Sequence, residues 1–353
     1  MKRNDDKISE IDKSAIKSQI INFMIICFGL TFILDFSSFV LLGPIYPNGS
    51  EKWGIITGIQ MLIPAVTSII CMMISRDKSL RGANKLFLGV FILDSVISIG
   101  QLLPIGSSRL YQYILLAFYS GSLILLFIIN SRKKSRAQLN QARLSFGSHK
   151  YMLLLMPLFY ILIYIGNTML NYVFNLADSS LKIDLGTFAI TYMGFVGIDI
   201  LFSWINYFGE EYGWRVYLQD RLTQIFGLRK GILLIGVIWG LWHAPIVAIG
   251  HGYPGHPVLG VIAMILSCIT FGIILGYSIW KTGSVWISVI LHLVNNCLVG
   301  PTVTYLCIYK SNIFSFGGGI YGIFVMGSIS FVFLIFLKEK KLSFNKNTNK
   351  QSL

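Results

Sequence analysis

The chain has 353 residues, 54% of them hydrophobic and only 12% charged, and it carries a net charge of +14. Soluble domains normally hold about 25% charged residues, so this composition leaves too little polar surface to coat a water-soluble globule. Lipid is the expected solvent for most of the chain, and the cation excess, which elsewhere signals nucleic-acid binding, has another explanation in its distribution.

Apolar runs long enough to cross ~30 Å of hydrocarbon lie near residues 20–43, 54–75, 86–104, 110–130, 151–173, 192–217, 231–249, 258–280, 283–306 and 318–337. They predict an all-α, polytopic transmembrane helical bundle of about ten spans. The first run begins near Ile20 and is too long for a cleavable signal peptide. The sixth is the least regular, because an apolar stretch from Gly186 precedes it and charges interrupt its end. The basic segment Ser131–Lys150 is the natural linker between an N-terminal region of about four spans (1–150) and a C-terminal core (151–337), which a polar tail (338–353) follows. The five cysteines, Cys27, Cys71, Cys268, Cys297 and Cys307, fall in or beside apolar runs without zinc or redox spacing and read as small buried hydrophobes.

Loop charge sets orientation. With the N-terminus placed inside, 25 Lys and Arg residues fall on the inner side and only four, Lys52, Arg109, Lys182 and Lys310, on the outer side. Both termini are therefore expected in the cytoplasm of a multi-pass cell-membrane protein. The cations face the anionic leaflet, so no nucleic-acid partner is expected.

Carboxylates inside apolar runs are informative, since each costs at least ~2.5 kcal/mol at a helix centre. Asp35, Asp94 and Asp199 are isolated, and each is expected to bond a neighbouring helix. Glu210 and Glu211 are adjacent, with Arg215 four residues after Glu211, the spacing that stacks two side chains on one helical face. An internal Glu211–Arg215 pair leaves Glu210, rotated about 100°, facing something else. Two histidines also fall within runs: His243, four residues after Trp239, and His292, one turn before Asn296 on the same face. Counted from the nearest inner cation, Glu210, His243 and His292 lie 11, 13 and 11 residues deep. At 1.5 Å per residue that is a common level of ~16–20 Å, which points to one shared site beneath the cytoplasmic face. The histidines of the loop His251-Gly-Tyr-Pro-Gly-His256 are expected in a turn-rich outer loop, across the membrane from the site's entrance.

Glu210-Glu211-Tyr-Gly-Trp-Arg215, Trp239 to His243, and His292 to Asn296 together resemble the three motifs of the CPBP family (CAAX proteases and bacteriocin-processing enzymes, also called Abi proteins). The resemblance covers roughly 190–306. Phenylalanine is commoner than tryptophan at the aromatic position. The resemblance implies an intramembrane endopeptidase of the glutamate type acting on a membrane-associated peptide or protein. In it Glu210 and His243 would activate water, His292 and Asn296 would donate to the oxyanion, and Glu211 and Arg215 would support them. The first four spans lie outside the resemblance and are assigned to recognition or regulation.

No cofactor is expected. A zinc held by two histidines and a glutamate stays open as an alternative, although the spacing is not His-Glu-x-x-His and asparagine is a poor zinc ligand. Two other functions stay open: a non-proteolytic scaffold or bacteriocin self-immunity protein binding a partner, and a proton-coupled transporter, which the lack of paired interrupted helices disfavours. The Ile-, Lys- and Asn-rich composition points to a low-GC bacterium.

Overall fold

A computed structural model of the chain describes residues 10–47, 49, 52–77, 82–100, 109–178, 180, 181 and 183–338. The polar tail beyond Lys338, and Lys182 among the outer cations, lie outside the described residues. The fold is a helical bundle, and the one β feature among the described residues is an isolated bridge between Ala177 and Tyr309. In chain order the helices are α1 (Glu10–Leu42), α2 (Lys52–Ile74), α3 (Ala83–Gly100), α4 (Arg109–Ser131), the short polar α5 (Lys133–Gln141) and α6 (Met152–Val173). They continue with α7 (Leu185–Phe202), α8 (Trp204–Glu211), α9 (Gln219–Phe226), α10 (Leu228–Trp242), α11 (Ala244–Ala248), α12 (Pro257–Thr282), α13 (Trp286–Pro301) and α14 (Ile320–Phe336).

Six of the described helical stretches are long and apolar enough to cross a membrane: 13–42, 52–74, 152–173, 185–202, 257–282 and 286–306. Their outward faces carry Ile25, Ile33, Leu154, Leu162 and Ile190, all more than half exposed, as lipid-facing side chains are. The sixth apolar run differs from expectation. It is not one helix over 192–217 but two, broken at Ser203, whose φ of −130° and ψ of −2° leave the helical region. α7 ends there, and α8 runs through a π-helical turn (Tyr212–Leu218) into α9. The physical reason lies at the other end of α7. Asp184 caps it by accepting from the Thr187 hydroxyl and backbone N–H, which also hold its carboxyl below the usual range, so this helix starts well before residue 192.

Contacts between loops sort into two groups at opposite ends of the bundle. At one end Arg221 bonds Gln19 and Asp77, Arg143 forms a two-pronged pair with Asp220 at 2.9 Å, Trp286 donates to the Leu144 carbonyl, and Arg229 donates to the carbonyls of Ile335 and Leu337. At the other, Ile45 bonds Ile249, Asp178 bonds Ile308, Asp184 bonds Tyr305, and Tyr253 donates to Gly318. The first end gathers the cation-rich segments of the sequence and the second the cation-poor ones.

α10 and α12 pack closely against one another. Gly236 and Gly240 form a small-xxx-small ridge on α10 that lets the two backbones meet, as lipid-embedded helices without a hydrophobic driving force require. A Cβ on Gly240 would lie 2.5 Å from the Ile265 Cα, and one on Gly236 would lie 2.7 Å from the Ile269 Cα. Gly240→Ala is therefore expected to push α10 off α12 at a cost of about 1–3 kcal/mol, read as a lower thermal unfolding midpoint in detergent. Gly121→Ala in α4, where a Cβ meets open space, is the control and should leave the midpoint unchanged or raised.

Candidate active site

The segment from Trp204 to Phe226 carries both glutamates and runs parallel to α2. Asn206 donates to the Gly58 carbonyl at 2.7 Å near the start of α2, and Arg221 pairs with Asp77 just beyond its end. Between these anchors the two helices touch at Gly213, where a Cβ would lie 2.3 Å from the Pro64 Cβ. Only glycine allows that approach. Phe208 stacks on Trp286 of α13 with ring centroids 5.2 Å apart, Glu211 one turn later meets α13 again at His292, and Glu210 turns to Trp239 of α10.

There the costly polar groups pair with one another, although Arg215 Nη1 and Nη2 make no hydrogen bond. Glu211, fully buried, accepts from Arg215 Nε at 3.1 Å and from His292 Nδ1 on α13 at 2.9 Å. Arg215 is equally buried; its guanidinium carbon lies 4.6 Å over the Trp239 ring, a cation–π contact that covers its outer face. The indole N–H of Trp239 donates to Glu210 Oε1. The same Glu210 oxygen lies 4.0 Å from His243 Nε2. His243 Nδ1 sits 2.8 Å from the Trp239 carbonyl, which can only accept, so Nδ1 carries a proton and Nε2 is the nitrogen turned to Glu210.

Glu210, His243, His292 and Asn296 line one cavity of about 700 Å³, while Glu211 and Arg215 lie behind its wall. Asn296 is exposed to the cavity side of α13, one turn beyond His292, and its Oδ1 accepts from Asn295 Nδ2 at 2.9 Å. Asn295 Oδ1 in turn accepts from the Tyr160 hydroxyl on α6. This chain fixes the amide oxygen of Asn296, whose side chain also reaches the Tyr207 hydroxyl. Among the described residues, no three His, Cys, Asp or Glu side chains converge as a metal-ligand set, and His292 is engaged with Glu211.

Several members of the site carry no signal of their own in the sequence. Trp239 is legible as an aromatic one turn before His243, but not as the partner of both Glu210 and Arg215. Tyr160 and Asn295 are legible only once α6 is seen against α13. The isolated acids do bond within the bundle in two cases: Asp199 accepts from Tyr207 at 2.6 Å and Asp94 from Ser122 at 3.0 Å. One expectation is overturned. The loop at His251 does not lie across the membrane from the cavity's opening; His251, Gly252, Tyr253 and Pro254 line the same cavity as Glu210. Depth counted from the cations of the inner end measures only the distance from that end, and it does not say which end the cavity faces.

Residues 192–298 match the model of the family described as Type II CAAX prenyl endopeptidase Rce1-like. The span contains Glu210, Glu211, Arg215, His243, His292 and Asn296. A curated protein, CAAX prenyl protease 2 of Methanococcus maripaludis, is 30% identical over 92 residues, 25% of this chain and 34% of that protein. The chain thus spans about a third of the length of the curated relative it matches.

Removing one member of the sealed ion pair should be far costlier than removing a surface one. Arg215→Ala leaves Glu211 without its guanidinium and is expected to lose about 3–5 kcal/mol of stability. Arg143→Ala breaks a pair whose partners are about 30% exposed and should cost no more than about 1 kcal/mol. Thermal unfolding in detergent compares the two; equal losses would show that the buried pair carries no special weight.

Proposed function

We propose that the chain is a membrane-embedded endopeptidase that hydrolyses a peptide bond of a membrane-associated peptide or protein, with Glu210 and His243 as the water-activating pair. The observation that carries this reading is the approach of Glu210 Oε1 and His243 Nε2, from two different helices, to 4.0 Å across a cavity that His292 and Asn296 also line. Two acceptors at that separation suit a bridging water. With hydrogen bonds of about 2.8 Å to each, the angle at the water is roughly 90°, close enough to its own geometry to hold both O–H bonds toward bases.

In the proposed reaction the water oxygen attacks the scissile carbonyl carbon as its proton passes to Glu210. The carbonyl π bond becomes an oxyanion, stabilised by the NH₂ of Asn296 and by Nε2–H of His292. Because Glu211 holds Nδ1 of His292, a donating Nε2 requires the imidazolium form. Charge balance supports it: Glu210 and Glu211 as anions with Arg215 and His292 as cations make a neutral cluster, the least costly arrangement in an apolar setting. When the C–N bond breaks, Glu210 returns the proton to the leaving amine, giving a carboxylate and a new amino terminus. Such donors are each worth about 2.7–4 kcal/mol at a transition state, and general-base assistance contributes typically about 10²–10⁴-fold.

Glu210→Gln keeps the side chain's shape, and the amide is cheaper to bury than the carboxylate. Turnover should nevertheless fall by at least ~100-fold, with membrane abundance preserved. His243→Ala should abolish cleavage, and Asn296→Ala should leave residual activity because one oxyanion donor remains. Metal chelators should have no effect. The readout is a comparison of membrane peptides from cells carrying each variant at matched abundance. Full biological activity in both Glu210→Gln and His243→Ala would sink the peptidase reading and leave a partner-binding role in its place.

A further inference from the structure

The cavity occupies one end of the bundle. Along each helix that lines it, the lining residues belong to the middle or to the part nearest the cation-poor loops: Thr57 and Gln60 at the start of α2, Ser267 in α12, Asn296 and Val299 late in α13, and Ile323 at the start of α14. The lining then continues into the loops that bond one another at that end, through Tyr253 and Pro254 on one side and Asn312 and Gly317–Gly319 on the other. None of the cation-rich segments, 76–85, 132–150 or 220–230, contributes a lining residue.

The rim is open. Gly252, Gly318 and Asn312 are exposed in the loops, and Asn296, Val299 and Val303 are exposed where the rim runs onto α13. Toward the cation-rich end the floor is closed by the buried Glu211–Arg215–His292 cluster and by Trp214, Tyr212 and Phe208. Apart from Glu210, the lining has no Asp, Glu, Lys or Arg; it combines aromatic, aliphatic and Met side chains with His, Asn and hydroxyl groups and with glycine backbone. Such a surface suits an uncharged, partly apolar length of chain.

Positive residues concentrate on the cytoplasmic side of membrane proteins, so the cation-poor end faces away from the cytoplasm. We propose that the active-site cavity opens to the extracytoplasmic side, and that its substrate is an uncharged peptide segment presented at the outer leaflet rather than a cytoplasmic chain terminus. The rim on α13 is exposed and apolar at Val299 and Val303, the surface that a membrane-anchored segment would meet on its way to Glu210. The proposal rests on the peptidase reading only for the word substrate; the direction of access stands on geometry and charge.

Thiol labelling reads that direction without any turnover, so its failure and the failure of the peptidase reading are distinguishable. The parent chain's five cysteines are all buried, and its labelling sets the background. Single cysteines are placed on the cavity wall (Ser267→Cys), at its rim (Asn312→Cys) and at the cation-rich end (Arg136→Cys). A membrane-impermeant, charged thiol reagent is applied to intact cells and, separately, to inverted membrane vesicles. Expected are labelling of Ser267→Cys and Asn312→Cys from outside the cell with none above background from the cytoplasmic side, and the opposite for Arg136→Cys. Labelling of Ser267→Cys only from the cytoplasmic side, or its absence from both sides in protein that folds and labels normally at Asn312→Cys, overturns the proposal. So does labelling of Arg136→Cys from outside, which would invert the orientation. A chain that meets the first expectation yet never cleaves a peptide keeps its outward cavity and loses only the enzymatic role.

Discussion

The candidate site depends on a fully buried carboxylate held by two side-chain partners. Glu211 is fully buried, and Arg215 and His292 reach it from its own helix and from α13. Moving an isolated carboxylate into such surroundings costs several kcal/mol even after relaxation, and the cost is offset only when geometry and hydrogen bonding are both good. The pair therefore acts as a geometric constraint. It ties α8 to α13, and with Trp239 lying over the guanidinium it draws in α10 as well. Glu210 inherits its place from this arrangement, since its neighbour in sequence is held on both sides.

Trp239 joins the two halves of the cluster. Its ring covers Arg215 and its N–H meets Glu210, so one side chain shields the cation that neutralises one glutamate and orients the other. Phenylalanine at this position would keep the first contact and lose the second. The orientation of Trp239 depends in turn on how α10 is rotated, which the Gly236–Gly240 ridge against α12 determines. Packing between two apolar helices thus controls the position of a polar group several residues away, the ordinary consequence of a close-packed interior that does not deform continuously.

Much of this was legible in the sequence, for identifiable reasons. The all-helical, multi-pass class follows from apolar run length, and the pairing of Glu211 with Arg215 follows from spacing on one face, where a local period decides the contact. The common depth of Glu210, His243 and His292 was readable because rise per residue is nearly constant. What was not legible depends on tertiary placement. The split of the run 192–217 at Ser203 needed the cap at Asp184 to be recognised as the start of a separate helix. The bond from His292 to Glu211 needed the rotation of α13, and the roles of Tyr160 and Asn295 needed the approach of α6. The loop at His251 was placed across from the cavity's entrance, yet it lines that cavity, because depth counted from one surface carries no direction.

The stretch from Trp204 to Phe226 holds Glu210, Glu211, Arg215, Asp220 and Arg221 in 23 residues, and none of the helical stretches apolar enough to cross a membrane by themselves includes it. During synthesis, chains emerge and fold from the N-terminus onward. When this stretch leaves the ribosome, α2, with Pro64 against Gly213, has already been made, whereas His292 is 66 residues short of appearing even after Phe226 has been added. Glu211 then has Arg215 but not its second cation, and Glu210 has neither Trp239 nor His243. The polar centre of this chain is therefore complete only after α10 and α13 have been made.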